Sequence, residues 1–212
     1  MAVSYYITAR KQLNPLPGKN GSEDALEDAL QEIVRTAFCA QVDYVQLREN
    51  DLASRRLAFL VEGLRTRPEK KGTRLLVNER MDVAVSCGAD GVHLPSGSLP
   101  LSALRAFAGD DLILGISCHG GEDVQKAVQA GACYVLLGPV FETPSKPGVT
   151  PLGLAALAEV CRRFPVPVFA LGGVVRENAK DCIQAGAAGV AGIRMFQQAQ
   201  NLEDLCGYLR SL

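Results

Sequence analysis

Short runs rich in β-branched and aromatic residues recur along the chain, and polar segments with apolar residues at helical spacing lie between them. Eight such runs occur, at residues 3–8, 44–47, 74–77, 91–94, 112–116, 134–137, 166–171 and 189–193. The clearest helical segments lie at residues 25–40, 52–65, 123–130, 152–163, 177–185 and 202–209. Because consecutive parallel strands need crossover connections, this alternation predicts a parallel sheet with helical crossovers.

A Gly–Ala step precedes three of the predicted strands, at Gly88, Gly131 and Gly186. Glycine at this place is typical of the left-handed turn that ends a helix. The repetition indicates one supersecondary unit used many times. We therefore predict an α/β fold with a single domain over residues 1–212, a (β/α)8 TIM barrel, rather than the competing open doubly wound sheet.

The polar segment at residues 13–24 is predicted to be a long loop after the first strand. Loops that follow strands lie on the catalytic face of such barrels. Two interpretations stay open for this segment: it covers the site, or it is a surface insertion.

Composition narrows the class of protein. With 48% hydrophobic and 21% charged residues, the chain has the balance of a folded domain. A net charge of −1 gives no basic field for nucleic acid or an anionic membrane, and no apolar run approaches the roughly 20 residues of a bilayer span. The first residues lack the pattern of a secretory signal, so we expect a cytoplasmic protein. The seven cysteines form no C-x-x-C motif, and we expect reduced core thiols.

Barrel geometry places residues that follow strands around one pocket, and Arg10 after the first strand is one of these candidates. Glycines 172 and 173 follow the seventh strand, and Ile193 and Arg194 follow the eighth. In many barrels these two turns bind phosphate through backbone N–H groups, because glycine lets the backbone approach the anion closely. The alternative is that the glycines only shape tight turns.

The segment after the sixth strand offers two hydroxyls and an ammonium group, from Thr143, Ser145 and Lys146. These groups suit a second anionic part of a ligand. The alternative is an ordinary exposed turn with a solvated lysine.

The chain has only two histidines, and both lie at strand ends. His119 comes directly after the fifth strand, which suits a general acid or base. His93 lies within the fourth strand, where a functional role and a buried, hydrogen-bonded structural role are equally good interpretations. Neither histidine has the spacing of a zinc site.

Seven segments, in chain order, resemble the thiamine phosphate synthase / TenI family. They are Arg10 and residues 46–49, 78, 91–94, 115–119, 138–141 and 170–174. The resemblance implies a barrel that binds a small phosphorylated thiazole, with its phosphate on Gly172, Gly173, Ile193 and Arg194. Seven further positions are expected to contact the substrate: Gln46, Arg48, Asn78, Ser117, Thr143, Ser145 and Lys146. The sequence leaves open whether the protein forms a homodimer.

In the synthase branch, the resemblance implies an Mg²⁺-dependent transferase that joins hydroxymethylpyrimidine diphosphate to thiazole phosphate. That branch carries two aspartates as metal ligands and a lysine after the second strand. Here the three places hold Glu79, Ser98 and Asn50, so only Glu79 offers a charged ligand for a cation. We expect the loss of these charges to slow the step in which the diphosphate group leaves its substrate.

Residues 94–98, residues 141–143 and His119 are more similar to the TenI branch. That resemblance implies a thiazole tautomerase, an isomerase that produces carboxythiazole phosphate without a metal or cofactor. It also assigns the proton transfer to His119. The tautomerase is therefore our main hypothesis. Thiamine phosphate synthase is the first alternative, and a non-catalytic paralogue that only binds thiazole phosphates is the second.

Overall fold

The computed structural model describes residues 1–19, 21–98, 101–109 and 111–212. Its eight parallel strands close into a barrel in chain order, so the predicted TIM barrel is confirmed. The strands are β1 Val3–Ile7, β2 Tyr44–Leu47, β3 Arg74–Asn78, β4 Gly91–Leu94, β5 Ile113–Cys118, β6 Tyr134–Leu137, β7 Val168–Leu171 and β8 Gly189–Gly192. Strand β8 pairs with β1, with Val3 opposite Gly189, and this pairing closes the barrel.

Helices lie between successive strands and after the last one. They are α1 Glu23–Cys39, α2 Ser54–Arg65, α3 Met81–Cys87, α4 Leu101–Ala108, α5 Gly121–Gln129, α6 Gly153–Arg163, α7 Arg176–Gln184, α8 Arg194–Gln197 and α9 Leu202–Ser211. Gly88, Gly131 and Gly186 have positive φ angles at the ends of α3, α5 and α7, as the repeated Gly–Ala step predicts. In the described part of the chain, none of these helices has the length and apolar character that a bilayer crossing requires.

Two element boundaries differ from the sequence prediction. Strand β7 begins at Val168 and not at residue 166, because Pro167 has no N–H group to donate within the sheet. Helix α1 begins at Glu23, since the side chain of Ser22 accepts a hydrogen bond from the backbone N–H of Ala25 and caps the helix. The predicted loop at residues 13–24 therefore includes the first two residues of this helix.

The core has two layers, one between strands and helices and one inside the barrel. Inside the barrel, Tyr5, Tyr134 and Phe169 pack with ring centroids 5.2–5.9 Å apart. Gly115 makes room for one of these rings. A Cβ atom at Gly115 would lie 1.9 Å from Cζ of Tyr134, so the ring occupies the space that a larger residue would need.

An ion network centred on the buried pair Arg10 and Glu49 holds the loops after β1 and β2 together. Arg10 is 1% exposed, and its guanidinium pairs with Glu23, Glu49 and Asp51. Glu49 also accepts hydrogen bonds from the Thr8 hydroxyl and from the backbone N–H of Arg10. Burial raises the pKa of Glu49, while these hydrogen bonds and Arg10 act in the opposite direction.

We expect Arg10→Met to lower the free energy of unfolding by about 3 kcal/mol, because it leaves Glu49 buried without its cationic partner. The measurement is urea unfolding followed by circular dichroism. Arg35→Met is the matched control, since Arg35 pairs with Glu32 on the exposed face of α1, where ion pairs contribute little. Equal losses in the two variants would contradict this account of the buried network.

Candidate active site

A cavity of about 650 Å³ opens at the carboxyl ends of the strands. Twelve residues that the sequence predicts for the site line this one cavity. They are Gln46, Arg48, Asn78, Ser117, His119, Thr143, Ser145, Lys146, Gly172, Gly173, Ile193 and Arg194. The closure of the barrel brings them together, because every parallel strand ends at the same rim.

The charges around the cavity favour an anionic ligand. Among the described residues that line it, Arg48, Lys146 and Arg194 are cationic, and Glu79 and Glu142 are acidic. All five side chains lie at the exposed rim, whereas the floor is made of barrel residues such as Ile7, Leu136 and Ala191. The cavity therefore combines a partly apolar floor with a charged mouth, which is the usual character of a small-molecule site.

His119 lies at the end of β5 with both ring nitrogens engaged. Its Nδ1 is 2.6 Å from the carbonyl oxygen of Gly138, and its Nε2 is 3.4 Å from Nζ of Lys146. A carbonyl oxygen only accepts, so Nδ1 carries the proton and Nε2 presents a lone pair to the lysine. The backbone N–H of His119 donates to Asp123 at 2.8 Å, which fixes the chain at this point. The imidazole is exposed to solvent and lines the cavity.

The segment after β6 connects the two sides of the cavity. Near one end of this segment, Nη2 of Arg194 contacts the Thr143 hydroxyl at 3.5 Å. At its other end, Lys146 contacts His119. The hydroxyl of Thr143 also accepts a hydrogen bond from the backbone N–H of Ser145 at 3.4 Å, which shapes the turn. This segment thus lies between the last βα turn and the histidine.

The glycines after β7 are required by close packing. Gly173 has φ of +67°, and a Cβ atom there would lie 2.4 Å from the carbonyl oxygen of Glu142. The Asn178 side chain donates to the Gly173 carbonyl at 3.0 Å and accepts from the backbone N–H of Val175 at 2.8 Å. The turn is therefore both tight and held by the first residues of α7. Tight packing and anion binding both call for glycine here, so both interpretations of the sequence remain compatible with the geometry.

His93 lies inside the barrel and is 2% exposed. Its Nδ1 is 3.0 Å from the Tyr134 hydroxyl and its Nε2 is 2.9 Å from the Ser117 hydroxyl. Burial lowers the pKa of His93 to about 3, and the positive charge of Arg48 acts in the same direction. The ring is therefore neutral at physiological pH. Of the two interpretations left open by the sequence, the buried hydrogen-bonded residue is confirmed, although the ring also contributes to the floor of the cavity.

Cys118, next to His119, is a buried thiol. Burial raises its pKa to about 12, and the nearby Asp123 carboxylate adds to this effect. Since the thiolate and not the thiol is the nucleophile, Cys118 does not fit a role in covalent catalysis.

The residues at the family's metal positions do not fit Mg²⁺. Glu79 supplies one carboxylate, which already accepts a hydrogen bond from Asn78 at 3.1 Å. Ser98, at the second metal position, supplies only a hydroxyl. Asn50 stands where that branch has its lysine, and its side chain accepts from Asn78 at 3.0 Å. Within residues 1–19, 21–98, 101–109 and 111–212, no group of three His, Cys, Asp or Glu residues is arranged to hold a metal ion. Mg²⁺ prefers several hard, anionic oxygen ligands, and this donor set has one.

Two sequence interpretations need correction or resolution. Arg10, placed with the strand-end candidates, does not line the cavity because its guanidinium is drawn into the ion network with Glu49. The segment at residues 13–24 contributes no cavity-lining residue among those described, and Asn20 lies outside the described residues. Sequence reasoning also missed Glu142 at the rim and the tyrosines below the floor. A glycine within β5, beside Tyr134 on β6, was the available signal for a large ring inside the barrel.

Comparison with known proteins identifies what this arrangement is similar to. The family model described as thiamine monophosphate synthase matches residues 20–196. A relative from Roseiflexus sp. (strain RS-1), named thiamine-phosphate synthase, is 38% identical over 85% of this chain and 80% of its own length. A relative from Aquifex aeolicus, which carries a provisional name as a second thiamine-phosphate synthase, is 41% identical over 91% of this chain and 96% of its own. The solved structure of thiamine phosphate pyrophosphorylase from Pyrococcus furiosus superimposes with a TM-score of 0.81 at 26% identity, covering 99% of this chain and 94% of that one.

The neutral state of His93 predicts how stability depends on pH. Below about pH 6.5 the unfolded chain binds a proton at this histidine and the native protein does not, so the free energy of unfolding falls as pH falls towards about 3. Between these pH values, we expect His93 to change the free energy of unfolding by up to about 1.4 kcal/mol per pH unit. Urea unfolding at several pH values measures it. His93→Gln should lack the contribution and His119→Gln should retain it; the same slope in His93→Gln as in the natural protein would contradict the assignment.

Proposed function

Because the chain belongs to the thiamine monophosphate synthase family, we propose that it is an enzyme of thiamine biosynthesis whose cavity binds a phosphorylated thiazole. The family match and the relatives' names support the pathway. The three cationic side chains at the rim support an anionic substrate. The size of the cavity suits a small molecule.

For the reaction, the function that the geometry supports best is thiazole tautomerisation by proton transfer at His119. The observation that carries this proposal is the state of its ring: Nδ1 donates to the Gly138 carbonyl, and the lone pair of Nε2, which faces Lys146, lies at the cavity wall where it can act as a base. When Nε2 takes a proton from the substrate, the Gly138 carbonyl stabilises the resulting imidazolium. The same nitrogen then returns the proton to another atom of the thiazole, so the composition of the substrate is unchanged.

The other groups of the cavity bind and orient the substrate. The backbone N–H groups of the last two turns, at Gly172, Gly173, Ile193 and Arg194, are proposed to hold the phosphate. Lys146, beside Nε2 of His119, provides positive charge for a substrate carboxylate. The segment that joins Thr143 to Lys146 would then set the distance between the phosphate and the reacting atoms.

The relatives' names favour a second candidate, thiamine phosphate synthase, and they support it better than they support the tautomerase. In that reaction Mg²⁺ would neutralise a departing diphosphate. The residues of this chain fit that role poorly, since Glu79 is the one acidic residue among the three positions discussed above. Arg48, Lys146 and Arg194 would remain as positive charges for a diphosphate.

Removal of the proposed base distinguishes the two reactions. We expect His119→Asn to lower kcat for tautomer conversion at least about 100-fold, because a general base contributes about 10²–10⁴-fold, and we expect full activity in the presence of a chelator. Ultraviolet absorbance of carboxythiazole phosphate formation is the readout. Lys126→Gln, on the exposed side of α5, is the control. Mg²⁺-dependent formation of thiamine phosphate from its two precursors, with no tautomer conversion, would establish the second candidate instead.

A substitution at Gly173 tests the phosphate turn. In Gly173→Ala the new methyl group clashes with the Glu142 carbonyl and moves the turn, so its N–H groups no longer converge. We expect the dissociation constant for thiazole phosphate to rise roughly tenfold or more, since a hydrogen bond to a charged group is worth about 1.5–3 kcal/mol. Calorimetric titration measures this, with Gly207→Ala as the control because a Cβ atom there meets nothing within 4 Å. An unchanged affinity in the folded Gly173 variant would place the phosphate elsewhere.

A further inference from the structure

A continuous hydrogen-bond chain crosses the inside of the barrel from β3 to β5. It joins seven side chains, in the order Glu79, Asn78, Gln46, Tyr5, Tyr134, His93 and Ser117. Both ends of the chain line the cavity. Since each contact needs one donor and one acceptor, a group that can only accept at one end determines the direction of every contact along it.

Glu79 determines which partner donates in each hydrogen bond of this chain. Its carboxylate accepts, so the Asn78 amide must turn its Nδ2 towards it, at 3.1 Å. The Oδ1 of Asn78 then faces Gln46 and accepts from its Nε2 at 2.7 Å. The remaining oxygen of the Gln46 amide, Oε1, is left facing Tyr5.

The two tyrosine hydroxyls continue the same order of donor and acceptor across the barrel. Tyr5 donates its hydroxyl proton to Gln46 at 3.0 Å, so its oxygen must accept from Tyr134 at 2.8 Å. Tyr134 has then used its proton as well. Its oxygen accepts from Nδ1 of His93 at 3.0 Å, which places the His93 proton on Nδ1.

The last contact involves Ser117. Because the His93 ring is neutral and protonated on Nδ1, its Nε2 holds a lone pair and accepts the Ser117 hydroxyl proton at 2.9 Å. Ser117 is half-buried and lines the cavity beside His119. Its proton is engaged below the floor, so the lone pairs of its oxygen are what it presents to a ligand.

We propose that Ser117 contacts the substrate as a hydrogen-bond acceptor, and that Glu79 is the positioning residue that imposes this polarity through the tautomer of His93. The ligand group recognised at Ser117 is then one that carries an N–H or O–H, such as a hydroxyl, an amine or a protonated ring nitrogen. A carbonyl or phosphate oxygen would meet the lone pairs and be disfavoured. The proposal rests on the cavity being the substrate site, but not on which of the two reactions occurs there.

The tautomer of His93 is measured directly by long-range ¹⁵N–¹H correlation spectra of histidine-labelled, ligand-free protein. His119→Asn assigns the two rings. We expect His93 to be neutral with its proton on Nδ1. In Glu79→Gln the new amide can donate or accept, so the ratio of the Nδ1–H to the Nε2–H tautomer should fall roughly tenfold, given the difference in strength between charged and neutral acceptors.

Glu142→Gln is the matched control, because it removes the same charge from the same cavity rim but lies outside the chain. It should leave the tautomer ratio unchanged. A His93 ring protonated on Nε2 in the natural protein would overturn the proposal. So would a Glu79→Gln variant whose tautomer ratio matches that of Glu142→Gln.

Ser117→Ala tests the contact with substrate. We expect this variant to keep the Nδ1–H tautomer of His93, because the direction is set from Glu79, and to bind thiazole phosphate roughly tenfold more weakly. An unchanged dissociation constant would overturn the role of Ser117 in recognition. Failure of the natural protein to bind thiazole phosphate would instead count against the proposed function, and the His93 spectra would still decide the direction of the chain.

Discussion

Polar side chains buried inside the barrel must find their partners inside the barrel, and the geometry of the site depends on this requirement. Tyr5, Tyr134, Gln46 and His93 are each at most 2% exposed, and each has hydrogen-bond partners on neighbouring strands or across the barrel. An unpaired polar group at such depth costs far more free energy than a paired one contributes. The side chains therefore have little freedom to rotate, and the cavity floor that rests on them is fixed before a ligand arrives.

Most of the fold was predictable because the signal for it is repeated. Eight apolar runs, helical segments between them and the Gly–Ala step each indicate the same unit, so an error in one unit does not change the architecture. Boundaries depend on single residues and were less secure. Val168 opens β7 because of a proline one residue earlier, and the cap at Ser22 makes α1 begin two residues inside the predicted loop.

The site was predictable to the extent that strand ends define it. That rule placed twelve residues around one cavity, yet it also included Arg10, because a sequence does not show that Glu49 and Asp51 will draw this side chain away. The polar interior was harder to predict. Parallel strands are apolar on both faces, so alternation does not indicate that Tyr5 and His93 point inward. The reaction is harder still, since it depends on a few substitutions within a shared cavity, where the relatives' names and the residues of this chain favour different chemistry.

The relation between Gly115 and Tyr134 has a consequence for how such barrels can diverge. The two positions are register neighbours on β5 and β6 and share one volume, which the tyrosine ring fills entirely. Neither residue can change alone: enlarging the first expels the ring, and shrinking the second leaves a void and breaks the hydrogen-bond chain across the barrel. Evolution would have to exchange both at once, so the two sites should be inherited as a pair, small beside large, long after the surrounding surface has changed.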